Sequence, residues 1–196
     1  MTTSLRMTSA DLASLPDEDG KRYEIIDGEL YVSKQPHLYH QETCGAVEAT
    51  LRAWSKQTGL GNAYGAPGII FADDDDVAPD VVWISKERLA VALWPDGKLH
   101  AAPELVVEVL SPGSANQLRD RELKLKLYSR RGVHEYWIAD WRLRQIVVYR
   151  REDAQLKLVG TLCESDTLAS PLLPGFSCGV NDLFAEIPRL DTPDKE

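Results

Sequence analysis

Polar and apolar positions recur with two different periods along this chain, and the changes of period mark its elements. From Lys21 to Ser33 the alternation is that of a strand with one buried face, and Asp27-Gly28 at its centre predicts a β-hairpin. Ahead of it, Thr8 or Ser9 can cap a short helix through Leu15, which "PDEDG" then breaks. After Pro36 the period lengthens. Leu38, Val47, Leu51 and Trp54 mark the apolar face of a helix that ends before Gly59 and packs on a sheet. A strand is expected from Gly65 to Phe71 and another over the apolar run 81–84. Between them, the consecutive aspartates Asp73 to Asp76 repel one another and are expected to form a solvated loop. The stretch from Lys86 to Ala102 reads as helix or loop with a turn at Pro95-Asp96-Gly97.

The rest is organised around Pro103 to Trp137. Leu105 to Leu110 is a short β-branched and apolar run bounded by prolines, as expected of a strand covered on both faces. Ser114 with Gln117 resembles a capping box and Gly132 stands where a C′ glycine would, so a helix is expected from about Ala115 to Arg131. At roughly 100° per residue, Leu118, Leu123, Leu125, Leu127 and Tyr128 spread over one arc, with Arg119, Glu122, Lys126 and Arg130 opposite. "HEYWIAD" and "QIVVYRR" read as a hairpin turning at Trp141 to Arg144, with Tyr136 and Trp137 in the core and Glu135 a surface or hairpin acid. A further strand is expected near Leu156 to Cys163, then a short helical turn in "PLLPGFSCGVNDLF" and a fraying tail, "DTPDKE".

Composition narrows the class. With 196 residues and 43% hydrophobic content, one substantial core is expected in a single domain, its centre at about 20–150 and its polar tail at about 189–196. A net charge of −9 argues against nonspecific coating of nucleic acid, which rests on many lysine and arginine contacts to phosphate, and leaves room for a local basic patch. Cys44, Cys163 and Cys178 are odd in number and lack a CxxC pair, so reduced cytosolic thiols are expected rather than a disulfide framework or structural zinc. The N-terminal stretch lacks the apolar core of a signal peptide, and no apolar run approaches about 18 residues, so a cytoplasmic protein free of membrane segments is expected.

Three ionisable residues stand where propensity does not explain them. Glu108 shares a strand face with Val106 and Leu110, where an ionised carboxylate loses hydration unless a cation or donor receives it. Lys124 projects from the middle of the helical apolar arc, one turn after Asp120, with which it can pair. Asp80 follows Pro79 at the mouth of a strand. Two carboxylates at adjacent strand ends can hold Mg²⁺ or Mn²⁺, and a lysine beside them can orient the attacking water of phosphodiester hydrolysis or stabilise developing charge. His37 and His40 form an HxxH pair without a further histidine or cysteine at zinc spacing, which leaves His40 a place on the rim of such a site.

In "RYEIIDGEL", "PH" plus His40, "APDVVWIS", "PELVVEVLSP", "RDRELKLKLY" and "GVHEYWIAD", the chain resembles the PD-(D/E)XK nuclease superfamily, and more closely its bacterial Uma-type family of restriction-endonuclease-like proteins. The resemblance runs from about Tyr23 to Tyr149. It implies an α/β (α+β) fold, with a mixed central β-sheet flanked by helices, an N-terminal hairpin and extra C-terminal strands. It also implies a divalent ion held by Asp80 and Glu108, with the backbone carbonyl of Val109 as a further ligand, and a catalytic lysine. The lysine that the superfamily places two residues after the glutamate is replaced here by Leu110, and Lys124 occupies the position to which the Uma-type family has moved it. Glu24 corresponds to the superfamily's early acidic residue. The implied partner is nucleic acid, chiefly DNA, and a homodimer that sets two sites against two strands follows by analogy. Arg119, Arg121, Arg130 and Arg131 are candidate phosphate contacts. A noncatalytic partner-binding protein on the same fold, or hydrolysis of RNA, are the rival readings.

Overall fold

The computed structural model describes residues 6–16 and 20–189, and of residues 114 and 115 the backbone alone. The "PDEDG" breaker and the "DTPDKE" tail therefore lie largely or wholly outside the described residues. Thr8 caps α1 (Ser9–Ala13): its hydroxyl accepts from the Asp11 N–H while the Asp11 carboxylate accepts from the Thr8 N–H. The hairpin follows as β1 (Lys21–Ile26) and β2 (Glu29–Lys34). Asp27 and Gly28 both take positive φ, 53° and 78°, the tight turn that an Asp-Gly pair accommodates. Helix α2 (Leu38–Thr58) stops at the left-handed Gly59 and buries Val47, Leu51 and Trp54, whereas Leu38 at its first turn is exposed.

The single strand expected from Gly65 to Phe71 is two strands in two sheets. β3 (Gly61–Gly65) ends where Ala66 adopts φ 46° ahead of Pro67, and β4 (Ile69–Ala72) begins after Gly68. A left-handed residue followed by a proline, which has no N–H to give a ladder, releases the chain from one sheet into the other. The aspartate run also departs from expectation. Asp73 is exposed, but Asp75 and Asp76 lie buried on β5 (Asp75–Val77). Asp75 accepts from the Asp27 N–H at 2.8 Å and from the guanidinium groups of Arg130 and Arg131, and Asp76 takes Lys98 at 2.9 Å. Cations distant in sequence cancel the repulsion that would have kept this run in solvent.

The remaining elements are β6 (Val81–Ser85), α3 (Lys86–Ala92), β7 (Leu105–Val109), α4 (Ser114–Leu118), α5 (Lys124–Arg131), β8 (Glu135–Asp140), β9 (Gln145–Glu152), β10 (Gln155–Leu162), β11 (Thr167–Ala169) and β12 (Ser177–Gly179). A 3₁₀ turn over Val180–Phe184 supplies the short helical segment expected near the end. A six-stranded sheet runs β10-β9-β8-β7-β6-β3, and a four-stranded one runs β2-β1-β5-β4. Only the β7–β8 pairing in the larger sheet is parallel, and the helical segment between those strands is the crossover that parallel pairing requires.

β7 lies between β8 and β6 with all five residues buried, so both of its faces are covered. On one face α2 and the C-terminal turn cover Val107, Val109 and Trp137 through Leu51, Trp54, Phe176 and Phe184. On the other, Leu127 and Tyr128 of α5 cover Val106, Leu110 and Ile138. Glu108 belongs to this second face. Tyr136 and Trp137 are core residues, and Glu135, read as a surface or hairpin acid, does lie in the β8–β9 hairpin but is 1% exposed, bound by Arg150 at 3.0 Å and by the Ser170 hydroxyl. Its strand is interior, so the acid is buried together with donors. No helix among the described residues is long and apolar enough to cross a membrane.

The pairing of β3 with β6 depends on a bare backbone at Gly61. A Cβ there would lie 2.3 Å from the Ile84 carbonyl and 2.6 Å from the Trp83 ring. Gly61→Ala is therefore expected to lower stability by about 1–3 kcal/mol, the usual range for overpacking. Urea unfolding would show this as a lower midpoint at unchanged slope.

Candidate active site

The helix between β7 and β8 is not α-helical throughout. Arg119–Leu123 form a π-turn between α4 and α5, in which the Lys124 N–H reaches the Arg119 carbonyl. The wider turn shifts the side-chain register that a uniform α-helix would set. As a result Leu118, expected on the buried arc, is half exposed at 52%, and Arg119, expected on the opposite side, turns inward with only 12% of its side chain exposed. Lys126 faces solvent, as the helical arc indicates.

Lys124 is buried, and it ties three elements together. Its Nζ lies 2.9 Å from Glu108 Oε1 on β7, 2.9 Å from Glu24 Oε1 on β1 and 3.9 Å from Asp120 Oδ1 one turn back. Asp120 is held more closely by Arg119, at 3.2 Å. Tyr128, one turn beyond the lysine, donates its hydroxyl to the same Glu108 oxygen at 2.6 Å. Glu24 also accepts the Ala78 N–H at 3.0 Å, which fixes the hairpin against the approach to β6.

Asp80 completes the group from the other side. Its Oδ2 accepts the Val109 N–H at 2.8 Å and lies 3.3 Å from His40 Nε2, and its Oδ1 lies 3.3 Å from Arg22. The Val109 amide thus attaches Asp80 to the residue next to Glu108. The sequence-predicted Asp80, Glu108, Val109 and Lys124 all line one cleft of about 340 Å³, with His40, Asp120, Arg119, Arg22, Lys34 and Ser111. Glu24 sits behind Lys124, buried at 1% exposure. Of the arginines named as phosphate contacts, only Arg119 lines this cleft. Arg121 lies 3.6 Å from Asp140, and Arg130 and Arg131 are tied to Asp75.

Four buried carboxylates (Glu24, Asp80, Glu108 and Asp120) thus crowd around one buried lysine and two partly buried arginines. The crowding divides their acidities. Burial pushes the Glu108 carboxyl up to about 8, and neighbouring Asp80, Asp120 and Glu24 add to the rise while Lys124 opposes it. Asp80 moves the other way despite its burial, because His40, Lys124 and the Val109 amide hold it well below the usual carboxylate range. Lys124 is driven up by the surrounding acids, against the pull of its own burial. Such an excess of hard oxygen donors in a buried cleft suits a divalent cation of the Mg²⁺ or Mn²⁺ kind, so the residues present fit that ion.

Residues that pattern alone did not select also belong to the site. Arg22 is two positions before Glu24 on the same strand, so period-two alternation places it on the same face. His37 and His40 do not act as a pair: His37 stacks on Trp141 with centroids 5.0 Å apart, whereas His40 faces Asp80. Contrary to the expectation that no further cysteine accompanies the pair at ligand spacing, Cys44 stands one turn beyond His40 on α2, with its Sγ 3.5 Å from His40 Nδ1. Burial, with Asp80 and Glu108 nearby, pushes this thiol up.

This fold is that of a restriction-endonuclease-like protein, and comparison with known proteins gives the family. The model of the Uma2 family, described as "Putative restriction endonuclease", matches residues 9–181, and the chain belongs to that family. Among solved structures, it is similar to one described as "a putative nuclease belonging to DUF820" from Anabaena variabilis. That structure has a TM-score of 0.72 at 17% identity, over 91% of this chain and 98% of the other, and it shows the shared fold. The type IIG restriction endonuclease BpuSI is also similar, with a TM-score of 0.40 at 16% identity over 72% of this chain and 15% of that one. No curated protein matches the chain.

Proposed function

We propose that the protein is a divalent-metal-dependent endonuclease that hydrolyses phosphodiester bonds of DNA. The observation that carries this reading is the convergence of Asp80, Glu108 and Lys124 on one cleft that also holds Arg22 and Arg119. Asp80 and Glu108 would hold Mg²⁺ or Mn²⁺, with the Val109 carbonyl as the further ligand that the family resemblance suggests. Bound there, a hard divalent ion supplies Lewis acidity and lowers the pKa of its water.

The chain's own residues do the rest. Lys124 positions the attacking water and offers positive charge to the oxygen that develops negative charge. Glu24 and Asp120 hold the lysine side chain on target, and Tyr128 fixes the rotamer of Glu108. Arg22 and Arg119, already balanced by the acids, are placed to meet the scissile phosphate. Lys21, Arg22, Lys34, Arg119 and Lys124 line the cleft beside Asp80, Glu108 and Asp120, and this local balance reconciles phosphate binding with an overall charge of −9. A homodimer, which would set two such clefts against two strands, is the assembly that this reading favours.

Incubation with supercoiled plasmid DNA tests it. Nicked and linear products are expected with Mg²⁺ or Mn²⁺ and not with EDTA, and intact plasmid under every condition, beside cleavage of an RNA substrate, would move the substrate to RNA. No cleavage of either polymer would favour the noncatalytic reading. Arg119→Ala is expected to raise KM for DNA about 10-fold or more, as loss of a charge-assisted contact worth about 1.5–3 kcal/mol implies. Its cleavage should also depend less steeply on salt.

A further inference from the structure

We propose that His40, Cys44 and Asp80 form a second cation site, one for a thiophilic transition ion of the Zn²⁺ or Co²⁺ class. His40 and Cys44 stand one turn apart on α2 and so share a face, and Asp80 reaches them from the mouth of β6. One ligand atom from each lies within 4.8 Å of the others, and His40 and Asp80 are buried.

The spacing is close to what a bound ion requires. Tetrahedral zinc, with bonds of about 2.0–2.3 Å, separates its ligand atoms by about 3.3–3.6 Å. His40 Nε2 and Asp80 Oδ2 are already 3.3 Å apart, whereas the Cys44 sulfur lies beside the other ring nitrogen, 3.5 Å from Nδ1, so the sulfur must swing toward Nε2 to join them. Three protein ligands leave a fourth position. Cys44 and Asp80 also line a second cleft of about 250 Å³, together with Arg22 and Glu48, which gives solvent access to this position. Glu48 lies one further turn along α2 and is paired with Arg52 at 2.9 Å, so a water is left to complete the shell.

The ligand chemistry distinguishes this site from the first cleft. A thiol, an imidazole and one carboxylate select a borderline or soft ion, whereas Glu108 and Asp80 alone select a hard one. On binding, the Cys44 S–H gives its proton to solvent and the thiolate bonds to the ion. Asp80 lines both clefts, so an ion held by His40 and Cys44 draws on a carboxylate that the hydrolytic site also needs. The binding site itself does not depend on the nuclease reading.

Titration of the metal-free full-length protein with Co²⁺, followed by absorption spectroscopy, tests the proposal. One equivalent is expected to produce a near-ultraviolet thiolate-to-cobalt charge-transfer band, and one equivalent of Zn²⁺ to abolish it. Cys44→Ser should remove the band, and His40→Gln should weaken Co²⁺ binding at least 10-fold, each with an unchanged far-ultraviolet circular dichroism spectrum. A Cys163→Ser/Cys178→Ser double variant should keep the band. Glu108→Gln should keep it too, which separates this site from the hydrolytic one. Absence of a charge-transfer band, or a band that survives Cys44→Ser and disappears with the other two cysteines, overturns the proposal.

Discussion

Glu108→Gln is expected to abolish metal-dependent cleavage, by at least about 10³-fold, while leaving the fold intact. The amide keeps the side chain's shape and retains an oxygen that can accept from Lys124 and from the Tyr128 hydroxyl, which lie 2.9 and 2.6 Å from the native carboxylate. It loses only the negative charge that a cation needs. The native group sits where burial and three nearby acids favour its neutral form, so an uncharged substitute suits the metal-free fold. The sign of the pH effect follows from the raised value. The unfolded chain releases this proton near 4.5 and the folded chain holds it to about 8, so the contribution to stability is present below about 4.5 and falls as pH rises toward 8. Glu108→Gln should remove that fall. Urea melts at several pH values would show the variant gaining on the parent as pH increases. Parent-like cleavage by this variant would place the reaction elsewhere.

Lys124→Met is expected to cost more in stability than any other single change in the cleft. Methionine fills much of the same volume but leaves Glu24, Glu108 and Asp120 facing one another with their shared cation gone. Removing one partner from a buried ionic group typically costs about 3–5 kcal/mol, because the acids stay buried, with Arg119 the cation that remains beside Glu24 and Asp120. Cleavage should fall by about 10²–10³-fold even at temperatures where the variant is folded, the range associated with losing one preorganised electrostatic contact. Thermal unfolding and single-turnover kinetics on the same preparation separate the two effects. A variant as stable as the parent would mean that Lys124 does not neutralise these acids.

The central part of the fold was legible because its signals were local. Proline-bounded, β-branched and apolar, Leu105 to Leu110 read as a covered strand, and alternation then placed Glu108 on an apolar face. The same held for Lys124, selected by its place on the helical arc, and for the Asp27-Gly28 turn. Legibility ended where a partner lay far away or the repeat changed. Asp75 and Asp76 looked solvated because the arginines and lysine that receive them come from α5 and from the loop before β7, which no local pattern connects to them. Arg119 looked solvent-facing because a constant 3.6-residue turn was assumed, and the π-turn at 119–123 rotates it inward. The HxxH spacing by itself left only His40 a place at the rim of the site, and it is tertiary packing that sends His37 to Trp141 and brings His40 to Asp80.

Manganese binding measured by isothermal titration calorimetry tests the shared grip of Asp80 and Glu108 most directly, since it requires neither substrate nor turnover. The parent protein should take up Mn²⁺ in its hard-oxygen site, and both Asp80→Asn and Glu108→Gln should lose that uptake while retaining parent-like circular dichroism. Manganese uptake by the two folded variants as tight as that of the parent would contradict a cation held between those carboxylates.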